Sequence, residues 1–147
     1  MEIRCVHKHD LDEWLHLRKR LWPKDEWHSL ENEMHEIFNA LDEHPVFIAQ
    51  DKGVIIGFIE LSIHQSAPGC HSNRIGYLEG WYVCPTCRNK GIGKKLVEAG
   101  ETWAKHKGCS EMASDTNEMY PMSLLAHIRL GYKESKEPFH YYKKLII

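Results

Sequence analysis

The sequence predicts one α/β domain of the α+β type, in which about four helices flank a mixed central sheet. Apolar residues recur at spacings of three and four in some segments and alternate, or run together, in several shorter ones, which is the pattern of amphipathic helices mixed with strands. A strand, a long helix and another strand follow each other over residues 75–114, and that order requires a local parallel crossover. The 147 residues suffice for one core, so we expect a single domain over residues 1–147.

The N-terminal third predicts a short strand and two helices. Ile3 and Cys5 alternate with polar residues, as in a strand. Asp10 is expected to cap a first helix that ends at Pro23, and Ser29 a second helix that ends before Pro45. Both helices have faces with helical spacing, which comprise Leu11, Trp14, Leu15, Leu17, Arg18 and Leu21 in the first and Leu30, Met34, Ile37, Phe38 and Leu41 in the second.

The middle of the chain predicts a hairpin followed by a long strand. Residues 46–49 and 54–63 flank Asp51-Lys52-Gly53, where the glycine supplies the positive φ of a tight turn. Residues 65–74 are polar and contain Pro68-Gly69, so they predict a loop positioned to overhang a site on the sheet. Residues 75–83 predict the next strand.

The C-terminal part predicts two helices and three strands. Residues 90–107 have the pattern of a helix packed on the sheet, with Gly108 as its C-terminal stop. Residues 109–114 predict a short strand, and residues 123–130 predict a helix that Gly131 ends. Two terminal strands, over residues 132–136 and 139–146, are separated by Pro138.

Composition excludes several classes of protein. Hydrophobic residues make up 42% and charged residues 27% of the chain, and no apolar run is long enough to span a membrane. A formal net charge of -2 gives no electrostatic footprint for a nucleic acid. Met1 leads into charged residues instead of an apolar signal segment, so we expect a cytoplasmic protein. Five cysteines, an odd number, favour free thiols.

Two cysteine pairs raise the question of a zinc site. Cys84 and Cys87, followed by His106 and Cys109, have the ligand types of a zinc ribbon. The residues between the pairs form one helical pattern of about 18 residues, whose ends lie more than about 20 Å apart. Four ligands of one ion must lie within a few ångströms of each other, so we expect no metal. A redox role for Cys84 and Cys87 lacks the thioredoxin-like order of elements.

Residues 22–28 predict an exposed loop that contains two tryptophans and two carboxylates. Each of these tryptophans is either a hydrophobic staple over the next helix or part of the lining of a ligand cleft. The sequence leaves both alternatives open.

A short basic segment with two glycines, residues 88–94, follows the strand over residues 75–83 and Pro85, and it leads into the long helix. We call this segment the phosphate loop. Unpaired N–H groups at a helix start, together with the positive end of the helix dipole, bind a pyrophosphate. The segment is neither a Walker A sequence nor Gly-x-Gly-x-x-Gly. It does match Arg/Gln-x-x-Gly-x-Gly/Ala, and so resembles motif A of the GCN5-related N-acetyltransferases (GNAT).

The resemblance implies the GNAT fold, with acetyl-CoA as the co-substrate. In the family the matching loop binds the pyrophosphate of coenzyme A, and the preceding strand lies beside the acetyl group. The residues that take these roles by resemblance are Arg88, Asn89, Lys90, Gly91, Ile92, Gly93 and Lys94 in the loop and Trp81, Tyr82 and Val83 in the strand.

A second motif supports the same family. Residues 123–132 end in Leu130-Gly131-Tyr132 and resemble the family's helix that ends in Leu-Gly-Phe/Tyr. His127 stands where many relatives carry a tyrosine that acts as general acid for the leaving thiolate. His127 is therefore either a catalytic acid or a histidine that belongs to the core or contacts the coenzyme.

Within this superfamily the whole chain is similar to the aminoglycoside 6'-N-acetyltransferases. Residues 17–23, 78–80 and 107–116 carry the similarity, and Met112-Ala113-Ser114-Asp115-Thr116 is its most specific part. The resemblance implies that Glu79 and Asp115 contact substrate ammonium groups and that Trp22 lines the cleft. Glu137 matches a further acidic contact only if one residue is inserted. Ser66 departs from relatives that have an aromatic residue in that loop, so a stacking contact there is in doubt.

The chemistry of the substrate agrees with these assignments. An aminoglycoside carries several ammonium groups, so its site needs carboxylates, and we expect Glu79 and Asp115 at the carboxyl ends of central strands. The alternative for both is a structural cap or a surface charge. Attack on the thioester requires a neutral amine, and Glu79 is the candidate general base, through water or as the anchor of the amine. Backbone N–H groups of residues 81–83 are expected to meet the oxyanion.

Other acceptors and another class of function fit the same fold. The acceptor could be a polyamine, a lysine side chain or a peptide N-terminus, and a coenzyme A-binding module without turnover is a different class. Homologous enzymes are commonly dimers, so we expect a homodimer. Residues 141–147 either cross to the partner or complete their own sheet.

Overall fold

The computed structural model describes residues 1–146, and this part of the chain forms seven strands and four helices. Two short 3-10 turns, Lys8–Asp10 and Pro85–Cys87, precede α1 and α3 respectively. In chain order the elements are β1 (Glu2–Cys5), α1 (Leu11–Leu21), α2 (Trp27–Phe38), β2 (Val46–Asp51), β3 (Val54–His64), β4 (Ile75–Val83), α3 (Ile92–His106), β5 (Glu111–Asp115), α4 (Ser123–Arg129), β6 (Lys133–Glu134) and β7 (His140–Lys144).

The strands form one sheet in the order β1-β2-β3-β4-β5-β7-β6. β4 and β5, which α3 connects, pair in parallel, whereas β1 with β2, β2 with β3, β5 with β7 and β6 with β7 pair in antiparallel fashion. The mixed sheet, the four helices and the parallel crossover confirm the predicted fold class.

Glycines mark the turns that the sequence predicted. Lys52 and Gly53, between β2 and β3, have φ values of 50° and 80°, as the tight two-residue hairpin requires. Gly108 after α3 and Gly131 after α4 have φ values of 83° and 89°, the left-handed conformation in which helices commonly end. The predicted hairpin turn and both helix stops are therefore confirmed.

Asp10 is the N-cap residue of α1, as predicted, but without a side-chain capping bond, and the predicted cap Ser29 of α2 is wrong. The Asp10 carboxylate makes no capping bond to α1, because it accepts hydrogen bonds from the His7 N–H at 2.7 Å and from both terminal nitrogens of Arg4. Arg4 lowers the pKa of Asp10 through this bond. α2 begins at Trp27, two residues before Ser29, and the Trp27 ring packs edge-on against His16 of α1. The residues that α2 gains relative to the prediction thus include Trp27, which contacts α1.

The chain divides into two compact units, each made of two segments. The first unit comprises residues 1–61 and 80–99, and the second comprises residues 62–79 and the chain from Gly100 onwards. In the first unit, α1 and α2 bury their apolar faces against β2 and β3. The largest side chains of this core include Trp14, Leu17, Leu30, Met34, Ile48 and Phe58, each at most 4% exposed.

An ion pair is buried inside the first unit. Arg18, whose side chain is fully buried, lies 3.2 Å from the Glu60 carboxylate, and Trp14 donates its indole N–H to the same carboxylate at 2.9 Å. The other end of the guanidinium donates to Glu33. Buried charges require such partners, because an uncompensated one costs several kcal/mol. The position that the sequence assigned to the apolar stripe of α1 thus carries a paired charge.

A buried carboxylate ties the loop after β3 to β5 in the second unit. Glu111 accepts hydrogen bonds from the backbone N–H groups of His71 and Ser72 at 2.7–3.1 Å. Burial raises the pKa of Glu111, but the bonds from Ser72 and His71 outweigh it and leave the pKa lowered. Near the other end of this loop, Gly69 lies against the ring of Tyr142, where a Cβ atom would approach a ring carbon to 2.3 Å. The loop is therefore anchored on two strands.

Candidate active site

The parallel ladder between β4 and β5 ends beside two carboxylates. Its last pair is Leu78 with Ser114, so Glu79 and Asp115 are the next residue of each strand. Asp115 is the last residue of β5, as predicted, but Glu79 is the fifth of nine residues in β4, so its expected position at the end of the strand is wrong. The difference arises because β4 continues to Val83 after its pairing with β5 has ended.

Glu79 is bound through one of its two oxygens. Its Oε2 accepts a hydrogen bond from the Ser62 hydroxyl and lies 2.6 Å from Nε2 of His64. Among residues 1–146, Oε1 has no hydrogen-bond partner, and the side chain is 40% exposed. Glu79 is therefore an oriented carboxylate with one oxygen available to a ligand.

A stacked pair of rings connects the surroundings of Glu79 to Asp115. The His64 imidazole lies on the Tyr77 ring, with centroids 3.9 Å apart and an interplanar angle of 10°. The Tyr77 hydroxyl donates to Oδ2 of Asp115. Burial, and then the hydrogen bond to Asp115, raise the pKa of Tyr77, so its hydroxyl stays protonated. The two carboxylates thus belong to one polar cluster inside the second unit.

Sequence reasoning missed Ser62, His64 and Tyr77. A signal was present, because residues two apart on a strand share a face and these residues form such pairs: Ser62 with His64 on β3, and Tyr77 with Glu79 on β4. Polar side chains at every second residue near the end of a long apolar strand indicate that one face of the strand borders a site. The pairing of the two strands could not be derived from either pattern alone.

The phosphate loop, in the first unit, changes direction sharply before α3. Asn89 and Gly91 have φ values of 64° and 82°, and α3 begins at Ile92. The first backbone N–H groups of a helix have no partner within it, so they are available to an anion. A Cβ atom on Gly91 would meet nothing within 4 Å, so this glycine is required by backbone conformation and not by space.

Gly93 has a different role in the same loop. A Cβ atom there would approach the Trp81 indole to 3.2 Å, and Trp81 donates its indole N–H to the Gly93 carbonyl at 3.2 Å. The absence of a side chain at Gly93 thus lets the Trp81 ring lie on the first turn of α3.

Arg88 is partly engaged by the strand that precedes the loop. Its Nε donates to the Val83 carbonyl at 2.8 Å, and its guanidinium lies 5.5 Å from the centroid of the Tyr82 ring. Lys90 and Lys94 are exposed. The loop therefore combines cationic side chains with backbone N–H groups, which is a donor set suited to a pyrophosphate.

Trp22 packs on the sheet of the first unit. Its half-buried ring meets Phe58 edge-on, with centroids 6.4 Å apart, and the Arg18 guanidinium lies 4.9 Å from the ring centroid. A Cβ atom on Gly80 would approach the Trp22 ring to 2.7 Å, so Gly80 provides the space for it. Trp22 thus lies against Gly80 of β4, within the first unit. Trp27 of α2, which is 47% exposed, packs against His16 of α1 and thus connects the two helices.

His127 is buried and both of its ring nitrogens are engaged. Nδ1 lies 2.7 Å from the Ser123 carbonyl, which only accepts, so Nδ1 carries the proton and Nε2 accepts from the Ser114 hydroxyl at 2.9 Å. The ring stacks on Tyr141 with centroids 4.1 Å apart. Burial lowers the pKa of His127, so the ring is neutral near neutral pH. A neutral imidazole with Nε2 as acceptor favours a core histidine over a general acid.

The two remaining sequence-derived positions lie at the surface. Glu137 is exposed in the loop between β6 and β7, where its backbone N–H donates to the Ser135 hydroxyl. Ser66 is exposed in the loop after β3. Neither side chain is oriented by hydrogen bonds from neighbouring side chains as Glu79 is, among the residues that the structure describes.

The cysteines show no sign of a metal centre. Within residues 1–146, no three His, Cys, Asp or Glu side chains lie close enough to share an ion, and all five cysteines are free. Burial raises the pKa of Cys84 and of Cys109. In the same residues no helix is both long and apolar enough to cross a membrane.

Known sequences resemble this chain over nearly its full length. A model of the Acetyltransferase (GNAT) family matches residues 10–124. The aminoglycoside N(6')-acetyltransferase type 1 of Salmonella typhimurium is 41% identical, over 98% of this chain and 99% of its own length. The enzyme of the same name from Serratia marcescens is 35% identical, over 99% of each chain.

Solved structures give the same result. An aminoglycoside N-acetyltransferase, AAC(6')-Iy, in complex with the bisubstrate analogue CoA-S-monomethyl-acetylneamine, has 37% identity and a TM-score of 0.85, over 99% of this chain and 95% of its own. The 6'-N-acetyltransferase AAC(6')-Ig of Acinetobacter haemolyticus, without ligand, has 32% identity and a TM-score of 0.87 over the whole of both chains.

The buried, neutral His127 predicts a loss of stability in acid. The unfolded chain protonates this histidine at a higher pH than the folded chain, so its contribution to stability is lost as the pH falls from its ordinary pKa towards the lowered one. We expect His127→Phe to reduce the slope of unfolding free energy against pH by up to about 1.4 kcal/mol per pH unit between about pH 7 and about pH 5. Urea unfolding across this range measures it. The control is His106→Phe on exposed His106, and an unchanged slope in His127→Phe would contradict a buried neutral ring.

Proposed function

The chain belongs to the acetyltransferase (GNAT) family, and we propose that it transfers the acetyl group of acetyl-CoA to the 6'-amino group of aminoglycosides, and so confers resistance to them. Full-length relatives with this activity in their names support the proposal. So does the complex of AAC(6')-Iy with an analogue that joins coenzyme A to an acetylated aminoglycoside. The chain is accordingly an acyltransferase, with acetyl-CoA as its co-substrate.

The observation that carries the proposal is the pair of carboxylates at the end of the β4–β5 ladder. Glu79 and Asp115 follow the last paired residues of two adjacent strands, and one polar cluster connects them. Two neighbouring anions attract an acceptor with more than one ammonium group, since each ion pair at a partly shielded surface contributes favourably. Aminoglycosides have such groups on adjoining rings.

Glu79 takes up the proton that the acceptor amine loses. Its open Oε1 accepts a hydrogen bond from the ammonium group and, directly or through water, takes the proton. The neutral amine then attacks the thioester carbonyl carbon, a C–N bond forms, and the C–S bond breaks. The sulfur leaves as a thiolate and acquires a proton, so the net products are the amide, coenzyme A and one proton.

Backbone groups of β4 and the phosphate loop position the acetyl donor. A backbone N–H within residues 81–83 receives the developing oxyanion, in the part of β4 that continues to Val83 beyond its ladder with β5. The phosphate loop binds the pyrophosphate with its N–H groups, with the free guanidinium nitrogens of Arg88 and with the ammonium groups of Lys90 and Lys94. Asn89 and Gly91 set the backbone conformation, and Ile92 and Gly93 begin the helix.

The other assigned residues contribute unequally. By its resemblance to the relatives, Trp22 lines the aminoglycoside cleft, and within the first unit its ring packs on Gly80. Asp115 binds a second ammonium group, and the exposed Glu137 contributes a weaker charge. The contacts of His127 support a core role, in which the ring connects α4 to Ser114 of β5. The thiolate is then protonated by another group or by water.

We also propose a homodimer located in the cytoplasm, where acetyl-CoA is available. β7 lies between β5 and β6 of its own chain, which supports the alternative that the C-terminal strand completes its own sheet, although Ile147 lies outside the described residues. Apolar side chains are exposed instead on α4 and at the residue before it, where Met122, Leu124, Leu125 and Ile128 are 42–68% exposed. These side chains form the proposed contact between protomers.

The dimer is tested by its mass. Light scattering is expected to give twice the mass of one chain, and Leu125→Glu combined with Ile128→Glu is expected to give a monomer, because two charges would be buried in the contact. A monomeric wild-type protein would contradict the proposal. Fractionation of expressing cells tests the location.

The acetyl acceptor is tested by thiol release from acetyl-CoA. We expect turnover with kanamycin and tobramycin and little with spermidine or peptide amines, because the full-length relatives are aminoglycoside 6'-N-acetyltransferases. We expect Glu79→Gln to reduce kcat about 100-fold through loss of the base, and Asp115→Asn to raise the KM for tobramycin about tenfold or more. The control is Glu118→Gln, at an exposed site after β5.

Three outcomes of this assay would contradict the proposal that aminoglycosides are the acetyl acceptors. Turnover with a peptide but no aminoglycoside would indicate a protein acetyltransferase, and turnover with spermidine alone a polyamine acetyltransferase. Binding of acetyl-CoA without turnover of any amine would indicate a regulatory module. Unchanged kinetics in Glu79→Gln and Asp115→Asn would remove these residues from the site.

Gly91→Ala is expected to weaken binding of acetyl-CoA. Its φ of +82° costs a residue with a Cβ atom about 1–2 kcal/mol, although the space around it is open. The strain is relieved by moving the loop, so the KM for acetyl-CoA should rise about tenfold while the KM for tobramycin stays unchanged. Gly53→Ala is the matched control, because Gly53 has φ +80° and equally open space in a hairpin turn. Equal effects of both variants would contradict the role of the loop.

A further inference from the structure

The contact between His64 and Glu79 has a defined direction. An ionised carboxylate only accepts hydrogen bonds, so the His64 ring donates its Nε2–H to Oε2 of Glu79 across 2.6 Å. The Ser62 hydroxyl donates to the same oxygen. Two donors from adjacent positions of one face of β3 therefore fix one oxygen of Glu79 and leave the other to a ligand.

The His64 ring is itself fixed in orientation. It stacks on the Tyr77 ring at 3.9 Å with an interplanar angle of 10°. Tyr77 is 6% exposed, and its hydroxyl is bound to Asp115, so the surface on which His64 rests cannot rotate away. The direction of the Nε2–H bond is therefore set by the core of the second unit.

Without His64, little would restrain Glu79. Its side chain is 40% exposed, and a glutamate on a strand surface samples several rotamers. The Ser62 hydroxyl would remain as one donor, but its hydrogen rotates to suit the acceptor, so it restrains the carboxylate less than the stacked His64 ring does. A displacement of a reacting group by about 1 Å can cost about 100-fold in rate.

We infer that His64 is a positioning residue for acetyl transfer, which holds Glu79 through Oε2 so that Oε1 meets the acceptor amine. The inference rests on the proposed function, because it assigns the proton of the amine to Glu79. It needs only an N–H donor at residue 64. A ring that itself accepts the proton would instead need to be titratable, and this difference makes the two roles separable.

The test compares two substitutions of His64. Glutamine supplies an amide N–H at a similar reach but cannot accept a proton near neutral pH, whereas leucine supplies neither. Thiol release with tobramycin gives kcat and both KM values. We expect His64→Leu to lower kcat by about 10- to 100-fold, with an unchanged KM for acetyl-CoA, and His64→Gln to restore kcat to within about threefold of the wild type. The control is His106→Leu, at an exposed position in the last turn of α3.

Each result decides between the alternatives. A His64→Leu variant with wild-type kinetics overturns the inference, and so does a His64→Gln variant as slow as His64→Leu, which would indicate a titrating ring. An inactive wild-type protein overturns the proposed function, and the inference with it. Thermal melting shows whether each variant is folded. If His64→Leu does not fold, a folded His64→Gln variant still tests the inference, because a kcat far below that of the wild type would overturn it.

Discussion

The end of the parallel pairing between β4 and β5 is the constraint on which the rest of the site depends. After Leu78 and Ser114 the ladder stops, while β4 continues for five residues to Val83. The first residue of each strand beyond the ladder is a carboxylate, so Glu79 and Asp115 are neighbours for a topological reason. The remaining backbone of β4 then leads through a 3-10 turn to the phosphate loop. One strand thus carries Glu79 and joins it along the chain to the phosphate loop.

Two carboxylates, Glu60 in the first unit and Glu79 in the second, are paired to different degrees, and this difference distinguishes a structural group from the proposed ligand-binding one. In the first unit Arg18 and Glu60 are buried, and the carboxylate is paired on both oxygens, which makes the network a structural element. In the second unit Glu79 uses one oxygen and keeps the other open. Leaving a polar group unpaired is costly in the interior and cheap at a half-exposed position, so a partly bound carboxylate at the surface is where a ligand fits.

The glycines of the site have distinct physical causes. Gly91 is set by a left-handed backbone with open space around it, whereas Gly80 and Gly93 make room for the rings of Trp22 and Trp81. The sequence pattern shows that a side chain is missing at each of these positions, but not what occupies the space. The contact partner belongs to another segment of the chain.

The sequence by itself determined the order of the strands and helices, the parallel crossover, the hairpin turn, the phosphate loop and the likeness to the acetyltransferases, because these depend on local periodicity, turn chemistry and contiguous motifs. Only the tertiary structure decided the helix starts, the interior position of Glu79 in β4, the neutral buried state of His127, and the contacts of Ser62, His64 and Tyr77 with the two carboxylates and with each other. These features arise where residues distant in the chain pair or stack. Strand register and ring contacts depend on both partners at once, and no single segment encodes them.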